Sequence, residues 1–151
     1  MQEFARPIRW IVAMFGSKII ELEYAGVKSS NVTYGHRFLA PEKISLNNSD
    51  ELLPNLSKSY VVCSENEREE IIRKQVKDIE AKTGFEAALP DAVMKEVVNL
   101  CEYPTCMVGQ FDELFLSVPK EIIVDAMLMH QRYFPLFDKN GKLTNKFIII
   151  F

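Results

Sequence analysis

The sequence predicts a mixed α/β (α+β) fold, in which an antiparallel-rich sheet is combined with about three helices. Short runs with the period-two alternation of strands fill the first third of the chain. Segments with helical periodicity follow from residue 64, and a turn between two apolar runs comes near the end. No internal repeat or low-complexity tract occurs in the 151 residues, so one domain over residues 1–151 is the simplest organisation.

Three strands are predicted in the first third. Residues 9–15 form an apolar run bounded by proline and glycine, and residues 18–24 carry an apolar side chain at every second position. A glycine-serine pair at residues 16–17 is expected to join these two strands as a hairpin. A third strand is predicted for residues 31–39, because a proline closes that segment.

The first predicted helix begins after Ser64, because Ser64 and Glu67 have the spacing of a capping box. Gly84 can adopt the left-handed conformation that ends a helix. Charges four residues apart, such as Glu69 and Arg73, indicate a solvated face rather than a binding tract. The opposite, inward face consists of Ile71, Ile72, Val76 and Ile79.

Two further helices are predicted from the positions of prolines and apolar residues. One runs from Asp91 to about Cys101 and is stopped by Pro104. The other opens at Pro119 and finishes before Pro135. The side chains expected to point inward are Val93, Val97 and Leu100 in the former and Ile122, Ile123, Ala126 and Met127 in the latter.

Residues 138–141, with the sequence Asp-Lys-Asn-Gly, predict a hairpin turn between two apolar segments. A calcium loop is excluded, because the further oxygen ligands and the late glutamate of an EF-hand are missing. The chain stops at Phe151 within an apolar strand, so we expect it to be a piece of a longer protein.

Net charge and apolar content limit the possible functions. The net charge is −3 and the pI about 5.5, without the basic excess of a domain that binds nucleic-acid phosphates. Residues 1–40 carry five Lys and Arg against three Asp and Glu, so a nucleic-acid contact is expected to be local and on this end.

The apolar runs are shorter than the ~20 residues of a membrane helix, and no export signal occurs. Three cysteines fit a reducing compartment, so the cytoplasm is the predicted location.

The chemical motifs predict no catalytic, cofactor-binding or metal-binding residues. The glycines form neither a dinucleotide-binding nor a P-loop pattern, and the serine-hydrolase pattern G-x-S-x-G is missing. Cys101 and Cys106, with His36 or His130, are conceivable zinc ligands, but a C-x4-C spacing is outside that of structural zinc sites. Free cysteine is more often a small apolar core residue.

His36 and Arg37 are the first candidate binding residues. They are adjacent in a predicted strand, so their side chains are expected to point to opposite faces, and one of them can meet a ligand. The alternative, favoured by physics alone, is a half-buried histidine bonded to backbone beside a surface arginine.

His130, Arg132 and Tyr133 are the second set of candidates, at the end of the third helix. Cations at this position are stabilised by the helix dipole and can cap the last carbonyls. Alternatively, the three side chains grip a phosphate and stack on a base, as in single-stranded RNA sites. His130 lies eight residues after Ile122 on the inward face, which favours a packing role for it.

Several short motifs occur in an order and spacing that resemble the β subunit of bacterial heterotetrameric (α2β2) glycyl-tRNA synthetase. The resemblance covers nearly all of the chain but a minor, internal part of that subunit. The motifs are RPIRW at 6–10, TYGHRFL at 33–39 with Pro41, ER at 67–68, EVVNL at 96–100 with EYP at 102–104, FL at 115–116 with PKE at 119–121, HQRYFP at 130–135, and GKL at 141–143 with FI at 147–148.

The resemblance implies a catalytically silent fragment that supports tRNA binding or subunit assembly. In the family the α subunit carries the active site that uses ATP, magnesium and glycine, so no cofactor is expected here. The implied partners are the α subunit and tRNA(Gly), without DNA or membrane. The HD-type and anticodon-binding motifs of the β subunit lie farther along and are not present in this sequence. Arg37 and Arg132 are expected to contribute more to tRNA contact than the charges of the first helix.

Two alternatives remain open. The region is also similar to the B3/B4 module of phenylalanyl-tRNA synthetase, where editing occurs, which implies an editing-type hydrolase with His36 or His130 as base. Glycine is the smallest amino acid, so a size-limited synthetic pocket already excludes larger ones and editing has less purpose. The second alternative is a purely structural spacer between subunits or domains, which the acidic pI favours.

Overall fold

The computed structural model describes residues 7–151, and the chain divides into two compact units, Met1–Cys63 (unit 1) and Ser64–Phe151 (unit 2). The mixed α+β class with antiparallel-rich sheets is confirmed. Four α-helices lie within the described residues, one more than expected. The single domain over residues 1–151 remains a prediction.

Unit 1 carries short strands in three small sheets. Strand β1 pairs in parallel with β5, which pairs antiparallel with β4, while β2–β3 and β6–β7 form antiparallel ribbons. The strands are β1 Ile11–Val12, β2 Met14–Phe15, β3 Lys18–Ile19, β4 Glu23–Tyr24, β5 Val27–Ser30, β6 Val32–Tyr34 and β7 Lys43–Ser45.

The hairpin predicted at residues 16–17 is confirmed, since Phe15 pairs with Lys18 and Gly16 has a φ of 56°. The long strands predicted on either side of it are each broken into two. Ala13 changes partner at the break: its N–H donates to the Ser30 carbonyl at 3.4 Å, while its carbonyl accepts from Ile20 at 2.9 Å. Each half of the segment therefore belongs to a different sheet.

The first helix of unit 1, α1 (Leu52–Lys58), follows a 3₁₀ turn at Ser49–Glu51 and was not predicted. The Asn48 side chain accepts from the Asp50 N–H and satisfies one donor of this turn. Pro54 lies in the first turn of α1, where a missing N–H breaks no helical bond. Proline usually breaks a helix, but it is tolerated at this position in the first turn.

Unit 2 combines three helices with one four-stranded antiparallel sheet in the order β8-β10-β11-β9. The helices are α2 Glu65–Thr83, α3 Asp91–Val97 and α4 Lys120–Asp125. The strands are β8 Glu86–Ala87, β9 Cys106–Gln110, β10 Phe134–Phe137 and β11 Leu143–Ile150. A 3₁₀ helix covers Glu113–Ser117 and a π-helix covers Ala126–Gln131.

Helix α2 confirms the sequence prediction at both ends. The Ser64 hydroxyl accepts from the Glu67 N–H at 3.3 Å, and Gly84 caps the other end with a φ of 72°. Arg73 and Glu69 form the expected ion pair at 2.7 Å. The predicted turn at residues 138–141 is also confirmed, since it connects the antiparallel strands β10 and β11.

Helix α3 ends earlier than predicted, and Leu100 is 69% exposed rather than inward. The Arg68 Nε donates to the Val98 carbonyl at 2.8 Å. In a continuing helix that carbonyl would accept the N–H four residues later. The arginine therefore satisfies the last turn of α3 and stops it.

The third predicted helix begins after Pro119 as expected but changes from α-helix to π-helix at Ala126. The wider π turn shifts the residues that follow away from a 3.6-residue periodicity. Met127 is buried, whereas Ile122, Ala126 and His130 are exposed. The prediction that these three side chains point inward was wrong.

The core of unit 2 lies between α2, α3 and one face of the sheet. Phe134 and Leu136, two residues apart on β10, point to the same side and are completely buried. None of the helices within residues 7–151 has the length and apolar character to cross a membrane. The core cluster is Ile72, Val76, Val93, Met94, Val97, Val98, Phe134, Leu136 and Ile148.

Candidate nucleic-acid interface

Unit 1 has an open cleft with a volume of about 320 Å³. Its walls combine two arginines, two aromatic rings and the turn that follows strand β6. The lining residues are Arg9, Trp10, Tyr34, Gly35, Arg37 and Pro41. The cleft therefore contains one of the predicted binding residues, Arg37, together with side chains from the start of the chain.

The two aromatic rings of the cleft are held in a fixed arrangement. Trp10 and Tyr34 pack edge to face, with ring centroids 4.8 Å apart and an interplanar angle of 61°. The Trp10 indole N–H donates to the Thr33 hydroxyl at 3.2 Å, and Thr33 is buried. Trp10 is nevertheless 41% exposed and Tyr34 36% exposed. The rings are thus fixed in orientation and accessible from outside.

The turn that carries Arg37 lies against the end of α1. The His36 N–H donates to the Ser59 carbonyl at 2.8 Å, and the Ala40 N–H closes the turn on the His36 carbonyl at 2.9 Å. A Cβ on Gly35 would lie 2.4 Å from the Ser59 Cβ and 2.7 Å from its carbonyl oxygen. Glycine is therefore required for this close approach.

His36 and Arg37 do not lie in a strand, so the prediction that they point to opposite faces of one was wrong. Strand β6 ends at Tyr34, and the His36 Nδ1 accepts from the N–H groups of Phe38 and Leu39 at 3.3 and 3.2 Å. These two donors are thereby satisfied by a side chain. The alternative interpretation is confirmed: His36 is half-buried and bonded to backbone, and Arg37 is exposed.

The cleft is electrostatically positive. Arg9 and Arg37 are both exposed, and within residues 7–151 no carboxylate lies in ion-pair distance of either. Lys43 adds a third cation on strand β7, where it is the register partner of Tyr34. Over the sequence, unit 1 carries seven Lys and Arg against six Asp and Glu, and unit 2 carries eleven against fifteen. Anions are therefore favoured at this cleft.

Arg132 confirms the capping interpretation. Its Nε donates to the Glu96 carboxylate at 2.5 Å, and its guanidinium also donates to the carbonyls of Leu128 and Met129. The residue has a φ of 59° and ends the π-helix. The Arg132 guanidinium is therefore engaged in holding the end of this helix.

His130 and Tyr133 have different neighbours from Arg132. The Tyr133 ring stacks on Phe147, with centroids 4.8 Å apart and an interplanar angle of 11°. His130 lies in an open depression that is also lined by Glu121 and Asp125, whose carboxylates repel a phosphate. The structure does not assemble His130, Arg132 and Tyr133 into one binding site.

The sequence prediction missed Arg9, Trp10 and Tyr34 as partners of Arg37. In the sequence Arg9 and Arg37 are each followed by an aromatic residue, Trp10 and Phe38, of which Trp10 lines the cleft. This repeated arginine–aromatic dipeptide was the sequence feature from which Arg9 and Trp10 could have been predicted as binding residues. The assembly itself depends on packing between β6 and the segment before β1, which sequence periodicity does not report.

Burial makes the half-buried cysteines poor nucleophiles. Desolvation raises the pKa of the Cys106 thiol to about 12, with a further contribution from Cys101. Desolvation also raises the pKa of Cys101, against the opposing effect of the Arg68 charge. Both remain thiols at neutral pH, whereas the thiolate is the reactive form. Within residues 7–151 no group of three or more His, Cys, Asp or Glu is placed to hold a metal ion.

The fold and the cleft define an α+β protein that presents two exposed arginines and two accessible aromatic rings on one surface of unit 1. The family model for the glycyl-tRNA synthetase beta subunit matches residues 1–151. The chain therefore belongs to the glycyl-tRNA synthetase beta subunit family. The resemblance to this family that the order of the sequence motifs indicated is confirmed, whereas the predicted internal position within the subunit is not confirmed.

Individual relatives agree with the family model. The glycine–tRNA ligase beta subunit of Clostridioides difficile is 43% identical over 148 residues, which are 98% of this chain and 21% of that protein. The beta subunit of Halothermothrix orenii is 40% identical over 97% of the chain, and that of Streptococcus thermophilus is 39% identical over 98%. The chain spans about one fifth of the length of these relatives.

Proposed function

We propose that the chain is a non-catalytic accessory part of a glycine–tRNA ligase β subunit, which supports tRNA binding or assembly with the α subunit during aminoacylation of tRNA(Gly). In this proposal the α subunit binds ATP and magnesium, and the enzyme works in the cytoplasm. The cleft of unit 1 is the observation that carries the proposal, and it favours tRNA binding over assembly. Its two arginines have no carboxylate partner within residues 7–151.

The chemistry of the cleft suits RNA. Arginine presents a planar fork of donors that matches a phosphate, and charge-assisted hydrogen bonds of this kind contribute roughly 1.5–3 kcal/mol each. Trp10 and Tyr34 offer aromatic surface beside these cations. A small positive site on an acidic chain fits a local contact to a tRNA that is bound mainly elsewhere.

The test uses the assembled enzyme, in which a full-length β subunit with Arg9→Ala and Arg37→Ala is combined with the α subunit. We expect the KM for tRNA to rise at least about tenfold, because the loss of even one such hydrogen bond, about 1.5 kcal/mol, corresponds to roughly that factor. The salt dependence of tRNA binding should become shallower by about one to two units. The KM values for glycine and ATP should stay unchanged, because the α subunit binds both.

The matched control is Lys74→Ala with Lys77→Ala on α2, which removes the same charge from two exposed positions. This pair should leave the KM for tRNA within about twofold of the parent. An arginine pair without effect, in an enzyme that remains assembled, would remove the tRNA-binding role and favour the structural spacer. A greater effect of the lysine pair would move the contact surface to α2.

An editing-type hydrolase is the second candidate function. The His36 Nδ1 already accepts two backbone N–H groups, so Nε2 is the nitrogen left for proton transfer. The neighbouring Arg37 is a cation that can hold the tRNA but cannot act as a base. Because His36 also shapes the turn that carries Arg37, we expect His36→Ala to affect glycylation and the deacylation of mischarged tRNA by the assembled enzyme to the same extent, through tRNA binding. A clear loss of deacylation, with normal glycylation, would instead support editing.

A further inference from the structure

The Trp10–Tyr34 pair leaves aromatic surface that the fold does not use. In an edge-to-face pair one ring points its edge at a face of the other, so the pair covers one of four ring faces. Both rings line the cleft, and Trp10 keeps 41% of its surface exposed. Trp10 is nevertheless anchored through the hydrogen bond from its indole N–H to Thr33. An anchored ring that lines the cleft and stays partly exposed can offer that surface to a planar ligand.

We propose that the cleft binds one unpaired nucleotide of an RNA, whose base stacks on Trp10 while the adjacent phosphates are held by Arg9 and Arg37. The inference rests on the proposed function, in which this chain contacts tRNA, and it specifies the form of RNA that the cleft recognises. Stacking is sequence-tolerant, because every base has a π face. The cleft therefore selects the single-stranded state and not a particular base.

The preference for an unpaired nucleotide follows from geometry. Both faces of a base inside a duplex are covered by its neighbours, so such a base cannot stack on a protein ring. The volume of about 320 Å³ is at the lower end of the range for small-molecule sites, which suits one nucleotide. Arg9 and Arg37 are the two cations of the lining and lie with the rings around the same cavity.

His36 is a positioning residue in this arrangement. Its imidazole accepts from the N–H groups of Phe38 and Leu39, and the backbone N–H of His36 donates to the Ser59 carbonyl. These bonds fix the turn on which Arg37 is carried. The turn is further held by the close approach of Gly35 to Ser59. The arginine therefore extends from a backbone whose shape is set before the RNA arrives.

A protein partner is the competing occupant, since exposed aromatic and arginine side chains also occur at protein interfaces. The charge of the cleft favours RNA, because two exposed arginines face the cavity without a carboxylate of residues 7–151 in ion-pair distance. A polyanion is attracted to two like charges that line one cavity. The competing occupant is retained as one outcome of the test.

Trp10 provides its own probe, because it is the one tryptophan in the 151-residue sequence. The chain is titrated with a single-stranded RNA oligonucleotide and with a blunt duplex of the same sequence, and the emission of Trp10 is recorded. We expect the single strand to quench and the duplex to leave the emission unchanged at the same concentration. Equal quenching by both RNAs, or quenching by neither, would overturn the inference.

Variants of Trp10 test the stacking separately, by the anisotropy of a labelled single strand. Trp10→Ala should weaken binding about 5-fold to 150-fold, and Trp10→Phe, which keeps a ring, less than about 5-fold. Circular dichroism confirms that each variant is folded. Binding that is equally weak in both variants would show that the ring does not stack on a base, and unchanged binding in Trp10→Ala would also overturn the inference.

The proposed function and this inference fail in different ways. If Arg9→Ala with Arg37→Ala raises the KM of the assembled enzyme for tRNA while Trp10→Ala leaves single-strand binding unchanged, the tRNA contact stands and the unpaired nucleotide is wrong. If the arginine pair has no effect on that KM, the tRNA-binding function itself is wrong. If purified α subunit changes the Trp10 emission and neither RNA does, the cleft is a protein interface.

Discussion

The two units of the chain differ in how far they bury their aromatic residues. Unit 1 leaves Phe15, Phe38 and Trp10 exposed, and within residues 7–63 few side chains are buried. Unit 2 buries Phe134 completely and stacks Tyr133 on Phe147. The two units also differ in formal net charge, which is +1 in unit 1 and −4 in unit 2.

The difference in aromatic burial between the two units indicates which surface is available for contact with a partner. Aromatic side chains in a core contribute to stability, whereas an exposed cluster of them next to cations has no such explanation within the fold. In unit 1 two aromatic side chains meet, in the cleft at residues 9–41, two arginines that have no carboxylate partner among residues 7–151. In unit 2 the corresponding candidate, Arg132, is engaged with Glu96.

The largest expected effect is the loss of a core ring. Phe134→Ala should lower the free energy of unfolding by about 3–5 kcal/mol, because it leaves a cavity in the core of unit 2. Phe38→Ala is the matched change in unit 1, where the ring is 83% exposed, and should cost no more than about 0.5 kcal/mol. Urea unfolding followed by circular dichroism measures both. Similar losses would mean that unit 1 depends on its exposed rings for stability.

The next largest effect on stability is expected from alanine substitutions at two glycines, where an added Cβ would lie very close to a neighbouring residue. A Cβ at Gly35 would lie 2.7 Å from the Ser59 carbonyl, whereas at Gly109 it would meet the Phe147 ring at 2.4 Å. The ring can turn away, but backbone cannot, so Gly35→Ala should cost about 1–3 kcal/mol and Gly109→Ala less. Thermal unfolding of the two variants gives the order. The reverse order would show that the stack of Tyr133 on Phe147 is more rigid than the turn.

A smaller effect on the free energy of unfolding is expected at Arg132. A substitution there loses an ion pair, which destabilises the fold, and a glycine also relieves the strain of the left-handed backbone, which stabilises it. Arg132→Ala removes the Glu96 ion pair, which contributes up to about 1 kcal/mol at this partly exposed position, and keeps a Cβ at a φ of 59°. Arg132→Gly removes the same pair but should be about 1 kcal/mol more stable than the alanine variant. Urea titrations compare them. An alanine variant as stable as the glycine variant would show that the left-handed backbone carries no strain.

The smallest expected effect concerns the pH dependence of stability at Cys106, which is absent at neutral pH and begins near pH 9. Burial raises the pKa of its thiol from 9.0 to about 12, so the folded state favours the neutral form. The resulting stabilisation is complete below pH 9 and is lost as the pH rises from 9 toward 12, where the unfolded chain releases the proton first. The difference in stability between the parent and Cys106→Ala should shrink over that range. A constant difference would contradict the burial of this thiol.

Much of the fold was predictable where local chemistry determines it. The capping box at Ser64, the glycine at residue 84 and the turn at residues 138–141 are satisfied within a few residues of sequence, and all three are confirmed. The strand hairpin at residues 16–17 is local in the same sense.

The errors arise where residues far apart in sequence decide the structure. Arg68 ends α3 by reaching the Val98 carbonyl, thirty residues away. The partner change at Ala13 divides two predicted strands. The cleft is of the same kind, because Arg9 and Arg37 are brought together by packing rather than by a motif. The π-helix at Ala126–Gln131, which moves His130 to the surface, is a local exception that a 3.6-residue periodicity does not reveal.

Photo-crosslinking of tRNA to the assembled enzyme, followed by mapping of the modified peptides, tests the central claim most directly. The claim is that within these 151 residues the tRNA contact is the cleft of unit 1. We expect the crosslinks in this region to fall on the peptides that contain Trp10 and Tyr34, and to be lost with Arg9→Ala and Arg37→Ala. Crosslinks confined to residues 64–151, and unaffected by the arginine variants, would contradict the account.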